Sequence, residues 1–430
     1  AISIQYPYFS IFFWVVTGKK NGLTVLVTLQ PVMNIEKGMS MNTFYGVNPP
    51  LSSDKSVKNS QPLGIFTKSQ VNHATQGFQR VHEFILQDQS AKLLPRERVC
   101  NCLKKRIDKT KERDVKYNES RKKAHWSNVQ RCGSVWTCPV CAKQITEKRR
   151  SELSQAVFNW RKHHQGFMLL LTLTFSHSSF ESLRSLMERQ KKAYKIFLET
   201  TKVKEILRKM GVKHKIRSFE VTYGQNGWHP HFHILMFTDH FFTEYDLTDT
   251  LTQLWIKACL KAGLSAPSMR HGLDLRDGTY ADQYVSKWGL EHEMTKGHTK
   301  KGRNGSFTPF DLLQGSMIEA EFNGRSFKSL YQEYGVSTKG ARQLVWSRGL
   351  KALLGIEEKT DEELAEETEQ DAITMRTVDD FAFSLLCHSQ KRHEFLRCLE
   401  RDWENGCFGS GEAEQLLIVL VEAEIKRLGG

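Results

Sequence analysis

Trp228-His229-Pro230-His231-Phe232-His233, running into the apolar stretch Ile234-Leu235-Met236-Phe237, decides the reading of this chain. On an extended strand, alternate residues project from one face, so His229, His231 and His233 share a side. Upstream lies Lys215-Ile216-Arg217-Ser218-Phe219-Glu220-Val221-Thr222-Tyr223, and Gly224-Gln225-Asn226-Gly227 joins the two runs with strong turn chemistry. The two runs are expected to form a β-hairpin. Pairing Tyr223 with Trp228 places Glu220 opposite His231 and diagonal to His233 and His229. One carboxylate and two imidazoles then converge as a metal site, with either Glu220 or His229 beside His231 and His233.

Two histidines and a carboxylate fit non-haem iron as well as zinc, so the trio alone does not choose a chemistry. Downstream, Asp277-Gly278-Thr279-Tyr280-Ala281-Asp282-Gln283-Tyr284-Val285-Ser286-Lys287-Trp288-Gly289 has a capping Thr and a terminating Gly. Tyr280, Tyr284 and Lys287 fall at i, i+4 and i+7 on one helical face. A phenol with an ordinary pKa near ~10 attacks poorly at neutral pH, and a neighbouring ammonium favours its phenolate.

Around the hairpin the pattern is strand 167–175, helix 180–210, the two hairpin strands, helix 243–262 with a capping box at Thr243 and Asp246, and strand 272–276. The class is therefore α+β, a split β-α-β-β-α-β antiparallel sheet backed by helices.

These motifs resemble the rolling-circle replication initiators of bacterial plasmids, in the endonuclease superfamily named HUH for a histidine, a bulky hydrophobic residue and a histidine. The resemblance runs from about Arg98 to Ala365. It rests on the strand Leu170-Leu171-Thr172-Leu173-Thr174-Phe175, the motif His231-Phe232-His233, and Tyr284-Val285-Ser286-Lys287, in that order. Trp136-Thr137-Cys138-Pro139-Val140-Cys141 and Trp346-Ser347-Arg348-Gly349-Leu350-Lys351 extend it. It implies that His231 and His233 hold Mg²⁺ or Mn²⁺ on the scissile phosphate. It further implies that Tyr284 attacks phosphorus, leaving a 5′-phosphotyrosine and a 3′-hydroxyl for a host polymerase to extend. Some relatives carry a carboxylate where this chain has Tyr280, which is expected to serve as an auxiliary to Tyr284. Rival readings are a two-tyrosine HUH transposase of an insertion sequence, a non-catalytic origin-binding copy-control protein, and a two-histidine, one-carboxylate iron oxygenase.

The 430 residues carry a formal charge of +14, which calls for a polyanionic partner. Residues 92–150 concentrate it, with 18 Lys+Arg against 6 Asp+Glu, a net +12. Lys104, Lys105, Arg106, Arg121, Lys122 and Lys123 are the expected phosphate contacts with origin DNA, single-stranded or hairpin. The same stretch holds Cys138-Pro139-Val140-Cys141, and Cys132 with either Cys100 or Cys102 would complete four thiolates around a structural Zn²⁺. Cys259, Cys387, Cys398 and Cys407 are scattered, as in a reducing bacterial cytoplasm.

The expected organisation is a flexible or non-native segment over 1–90, a basic cysteine module over 91–160, the nuclease domain over 161–295, a helical extension over 296–360, and an acidic linker with two C-terminal helices over 361–430. Residues 1–40 read as upstream-translated or non-native sequence, with a strand over 23–29 as the alternative. Trp346, Leu350 and Leu353 are expected to pack on the sheet. The stretch 357–371, with nine acidic residues and one lysine, reads as a solvated helix or linker. The longest apolar run, 6–16, falls short of the ~20 residues a membrane helix needs, and it lacks the basic lead of a signal peptide. No phosphate-cradling glycine loop is present, so strand opening is expected to need a host helicase.

Overall fold

The computed structural model describes residues 2–6, 9–17, 23–31, 73–240, 247–277, 305–366, 372–407 and 409–428. Two units divide the chain. In the unit 1–67, β1 (Ile2–Tyr6), β2 (Phe9–Thr17) and β3 (Leu23–Pro31) form an antiparallel meander, which includes the alternative strand at 23–29.

In the second unit, 68–430, the first described element is α1 (His73–Leu93). This replaces the flexible lead-in expected up to residue 90: Phe84, Leu86 and Leu93 enter the core. Its polar residues misled composition because several are buried with partners. Lys143 Nζ lies 2.6 Å from Glu83 Oε1, and Ser90 Oγ donates to Thr137 O at 2.6 Å.

Next come β4 (Arg113–Asn118), β5 (Lys123–Ser127) and α2 (Pro139–His164), with Cys138 at the N-cap and proline at the first helical position. A five-stranded antiparallel sheet follows. Its members are β6 (Phe167–Leu173), β7 (Val212–Gly224), β8 (Gly227–Thr238) and β9 (Leu273–Asp277), in the order β7-β8-β6-β9. Both β6 and β7 run antiparallel to β8, so they are parallel to each other. A crossover of α3 (Leu183–Glu199) and α4 (Thr201–Lys209) joins them. The single helix expected over 180–210 is thus two, broken where Thr200 is extended with φ −64° and ψ 124°. Helix α5 (Leu247–Ala262) links β8 to β9, and the cap expected at Thr243 lies outside the described residues.

Helices α3 and α5 cover one sheet face, where Leu171, Leu173, Phe219, Phe232 and Ile234 are buried. Tyr194 of α3 meets Phe232 at 5.3 Å, and Phe197 meets Trp255 of α5 at 5.6 Å. On the other face Ile216, Leu235, Phe237 and Met168 form a separate core with Leu153 and Trp160 of α2 and with Leu350 and Leu354. Of the three expected packing residues, Leu350 enters this core and Trp346 packs against it partly buried, whereas Leu353 points outward, 46% exposed, because the short helix Leu350–Leu353 turns Leu350 and the following Leu354 inward.

Residues 308–355, within the helical extension expected over 296–360, hold the helices Pro309–Gly315 and Phe327–Ser337 around a small hairpin, β10 (Glu321–Phe322) and β11 (Arg325–Ser326). They also supply β12 (Leu344–Trp346), which completes the large sheet at the outer edge of β7. The C-terminal part is not a separate appendage. Its strand β13 (Ala372–Val378) pairs with β4, and three helices rather than two follow, Asp380–His388, Arg392–Glu404 and Glu412–Arg427. Phe383 and Phe395 pack on Trp126 of β5 at 5.0 and 5.9 Å. Among the described residues no helix is long and apolar enough to cross a membrane.

Candidate metal centres and the face between them

The β7–β8 register is the expected one: Tyr223 pairs with Trp228 and Glu220 with His231. The turn that sets it closes through Gly227 at φ +86°, where an added Cβ would lie 2.7 Å from Ser179 Cα. Glu220, His231 and His233 each offer a ligand atom, all within 4.8 Å of one another. His231 Nε2 is 3.2 Å and His233 Nε2 3.8 Å from Glu220 Oε2. Thr172 of β6, opposite His233, meets its Nδ1 through Oγ1 at 3.0 Å and leaves Nε2 facing the carboxylate.

His231 shows what this arrangement requires. Its Nδ1 lies 3.2 Å from the carbonyl oxygen of His229, an acceptor, so Nδ1 carries the proton. In a neutral ring Nε2 then presents a lone pair to Glu220 Oε2, which is unfavourable unless a proton or a cation stands between them. Burial works to raise the Glu220 carboxyl, yet the His231 hydrogen bond and the His231 and His233 charges hold it below its usual range. Burial works to lower His231, and the Glu220 bond and charge hold it up. Burial outweighs the Glu220 charge at His233, pulling it down to about 4. Glu220 Oε1 is buried with no hydrogen-bond partner. An orphaned carboxylate oxygen and imidazole nitrogens facing the same space fit a divalent cation.

His229 is not part of this trio. His177 Nδ1 donates to Asn226 O at 2.8 Å, so His177 Nε2 accepts from His229 Nδ1 at 2.8 Å. Burial, then the charges of His231, His177 and His233, push His229 down to about 3, and burial lowers His177 too. Sequence reading missed His177, because it lies in a loop after β6 with no periodic signal. It missed Thr172 because that residue sits within an apolar run.

The second cluster comprises Cys102, Cys132, Cys138 and Cys141, all buried, with their sulfurs drawn together. Sγ of Cys141 is 3.5 Å from that of Cys102 and 3.7 Å from that of Cys132, and Cys138 Sγ is 3.7 Å from Cys102 Sγ. Cys138 and Cys141 stand at the start of α2, where the helix dipole favours thiolate, although burial pushes the Cys138 thiol up. Hydrogen bonds from Cys102, Cys132 and Cys138 hold the Cys141 thiol well below its usual value. This is a four-cysteine set compatible with structural zinc. Cys100 is excluded from it: its thiol donates to Ala91 O and Leu94 O at 3.4 and 3.0 Å.

Of the six expected phosphate contacts, two are engaged internally. Lys104 Nζ pairs with Asp88 at 2.9 Å, and Arg106 bonds Asp380 at 2.9 Å and Glu112 at 3.4 Å. Lys105, Arg121, Lys122 and Lys123 are exposed. Tyr280, Tyr284 and Lys287 lie outside the described residues.

Comparison with known proteins gives a consistent picture. Residues 123–265, which include the hairpin and both trio strands, match the model of a family described as replication protein. The chain is 27% identical over 295 residues to a "Protein rep" of Streptomyces lividans, covering 53% of this chain and 64% of that one. It is 28% identical over 131 residues to a "Neomycin resistance protein" of Streptomyces cyanogenus, covering 25% and 30%. The chain thus spans less than two thirds of either relative's length. No solved structure matches.

Proposed function

Given that the chain belongs to the plasmid rolling-circle replication (Rep) proteins, we propose that it initiates replication by nicking and rejoining one DNA strand at a plasmid origin. The observation that carries this is the Glu220–His231 contact, whose hydrogen-bond bookkeeping closes only with a proton or a cation between the two. Glu220, His231 and His233 would hold Mg²⁺ or Mn²⁺, which supplies Lewis acidity toward a phosphate oxygen. The sheet order of β7, β8, β6 and β9, with helices on one face, suits the split β-α-β-β-α-β core of HUH endonucleases, and the exposed end of the other face receives the strand.

Tyr284 acts as nucleophile. Its phenolic oxygen bonds to phosphorus as the bond from phosphorus to the 3′-oxygen breaks, giving a 5′-phosphotyrosine and a free 3′-hydroxyl that takes up a proton. Lys287, three residues further on, favours the phenolate, and Tyr280 is the auxiliary phenol. Energy for transfer is conserved in the phosphotyrosine, so rejoining needs no nucleotide triphosphate. The cysteine module carries structural zinc and, through Lys105, Arg121, Lys122 and Lys123, engages the origin backbone. A host helicase and DNA polymerase complete the reaction in the bacterial cytoplasm.

The test is incubation of the protein with labelled single-stranded DNA carrying candidate origin hairpins and Mn²⁺, followed by denaturing electrophoresis and mapping of the linked residue. A metal-dependent covalent adduct at Tyr284 is expected. Full adduct yield from Tyr284→Phe would reject that nucleophile, and no adduct with any plasmid origin would reject the function.

A further inference from the structure

We propose that Phe180 is a stacking platform for an unpaired base of the strand whose backbone is held at the Glu220–His231–His233 face. This deepens the nuclease reading and rests on it. Phe180 is 97% exposed, the most solvent-accessible of the large apolar side chains described. Single exposed apolar residues are common and by themselves mean little. Three observations set this one apart.

The first is that its turn is braced rather than loose. Ser178 donates to Glu181 Oε2 from its backbone N at 2.8 Å and from Oγ at 3.3 Å, while Glu181 N donates to Ser178 O at 3.2 Å. Arg189 holds the other carboxylate oxygen at 2.7 Å and ties the turn to α5 through Gly263 O at 2.8 Å. An aromatic ring on a fixed ledge loses little conformational freedom when a base settles on it.

The second is place. The ledge abuts the β7–β8 turn so closely that only glycine fits at 227, where a Cβ would meet Ser179 Cα at 2.7 Å. Three residues before Phe180, His177 bridges Asn226 of that turn and His229, which is two residues from His231. Phe180 is therefore tied by a short run of hydrogen bonds to the strand that bears the metal-facing imidazoles.

The third is company. The turn 268–272, with exposed Met269, Arg270 and His271, is anchored to the same end of β6: Thr174 Oγ1 bonds His271 O, Thr174 N donates to Gly272 O at 3.0 Å, and Ser176 Oγ donates to Ala266 O at 2.9 Å. An exposed aromatic side chain and a cationic turn carried at the same end of a sheet are the combination that binds single strands, stacking a base and meeting a phosphate without reading sequence. A paired base has both faces covered by its neighbours, so the platform selects unpaired DNA.

The experiment uses the full chain with fluorescein-labelled oligothymidylate, read by anisotropy with and without Mn²⁺. Phe180→Ala, at an exposed position, is expected to keep the wild-type melting temperature and to bind roughly tenfold more weakly. Phe180→Trp is expected to bind like wild type and to show quenching of its added indole emission with oligothymidylate but not with blunt duplex, read as a difference against the nine native tryptophans. Equal binding by wild type and Phe180→Ala, or equal quenching by duplex, overturns the platform alone. A wild-type protein that binds no single-stranded DNA overturns the nuclease reading, and the platform with it.

Discussion

Replacing Cys132 with serine should release zinc and unfold the cysteine module, and the size of that effect follows from the sulfur geometry. Four thiolates around Zn²⁺ at about 2.3 Å form a tetrahedron whose edges are about 3.8 Å. The observed separations of 3.5, 3.7 and 3.7 Å are close to that edge, and far beyond the ~2.05 Å of a disulfide. Zinc held this way contributes roughly 10–16 kcal/mol, as large as the ~5–15 kcal/mol net stability of a whole domain. The consequence reaches the face that bears Glu220, His231 and His233. Helix α2 follows directly on its N-cap Cys138 and near its far end sets Trp160 against Phe237 at 5.4 Å, and Trp136, between Cys132 and Cys138, packs on Phe219 at 5.6 Å, next to Glu220. Elemental analysis should find one zinc per chain in the wild type and less in Cys132→Ser, with loss of the cooperative melt followed by circular dichroism. Cys100→Ser should retain both, since that thiol bonds backbone carbonyls outside the cluster. Wild-type protein that purifies without zinc, or a Cys132→Ser variant that melts cooperatively at the wild-type temperature, would refute the reasoning.

Glu220→Gln keeps the shape of the side chain but removes its charge. Mn²⁺ affinity, measured from the electron paramagnetic signal of the free ion, should fall by at least about tenfold, and unchanged affinity would remove Glu220 from the ligand set. Arg392, 1% exposed, lies 2.6 Å from Asp88 and donates to Leu103 O at 3.0 Å. Arg392→Met strands a buried carboxylate, though Lys104 at 2.9 Å remains beside it, so urea unfolding should show a loss near the lower end of about 3–5 kcal/mol. A wild-type midpoint would show that Lys104 alone suffices. Burial, then the charges of Lys391, Arg80, Arg397 and Arg392, lower His393 from 6.5 to about 4. The unfolded chain therefore binds a proton that the folded one refuses: stability is full above pH ~6.5 and declines as pH falls toward ~4, by up to about 3 kcal/mol. His393→Gln should flatten that part of the melting-temperature profile, and a parallel profile would assign the acid sensitivity elsewhere.

The hairpin was legible because two independent constraints agree on it. Gly-Gln-Asn-Gly fixes the turn, and alternation fixes the faces, since a slip by one residue would exchange buried Phe219 and Phe232 for Glu220 and His231. The cysteine set was legible only to within one residue, because Cys100 and Cys102 are equally near in sequence. What separates them is a short 3-10 turn over Arg98–Asn101 that leaves Cys100 bonding the carbonyls of Ala91 and Leu94 at the end of α1 and the next cysteine, Cys102, facing the knuckle. Other features had no local signal at all. The pairing of β13 with β4 joins residues more than 250 apart, and composition at 357–371 gives no hint of the strand that follows. Ion pairs hold that acidic stretch to the body of the protein, Asp361 to Arg149 at 3.0 Å and Glu362 to Arg98 at 2.7 Å.

One face of β7 and β8 serves two ends with opposite needs. Toward one end Ile216, Leu235 and Phe237 are sealed by α2, Leu350 and Leu354; toward the other the same alternation brings out Glu220, His231 and His233. Strand continuity therefore transmits the rigidity of a packed core to side chains that must stay open to a ligand. A loop-borne trio could let Glu220 and His231 separate when no cation is present, but paired strands hold them together whatever the occupancy. Preorganisation of that kind places the cost of bringing a carboxylate and two imidazoles together in the folding of the sheet rather than in the binding step. It follows that substitutions in the sealed half, such as Phe237→Ala, should weaken Mn²⁺ binding without touching a ligand, whereas the same truncation at exposed Phe158 should not.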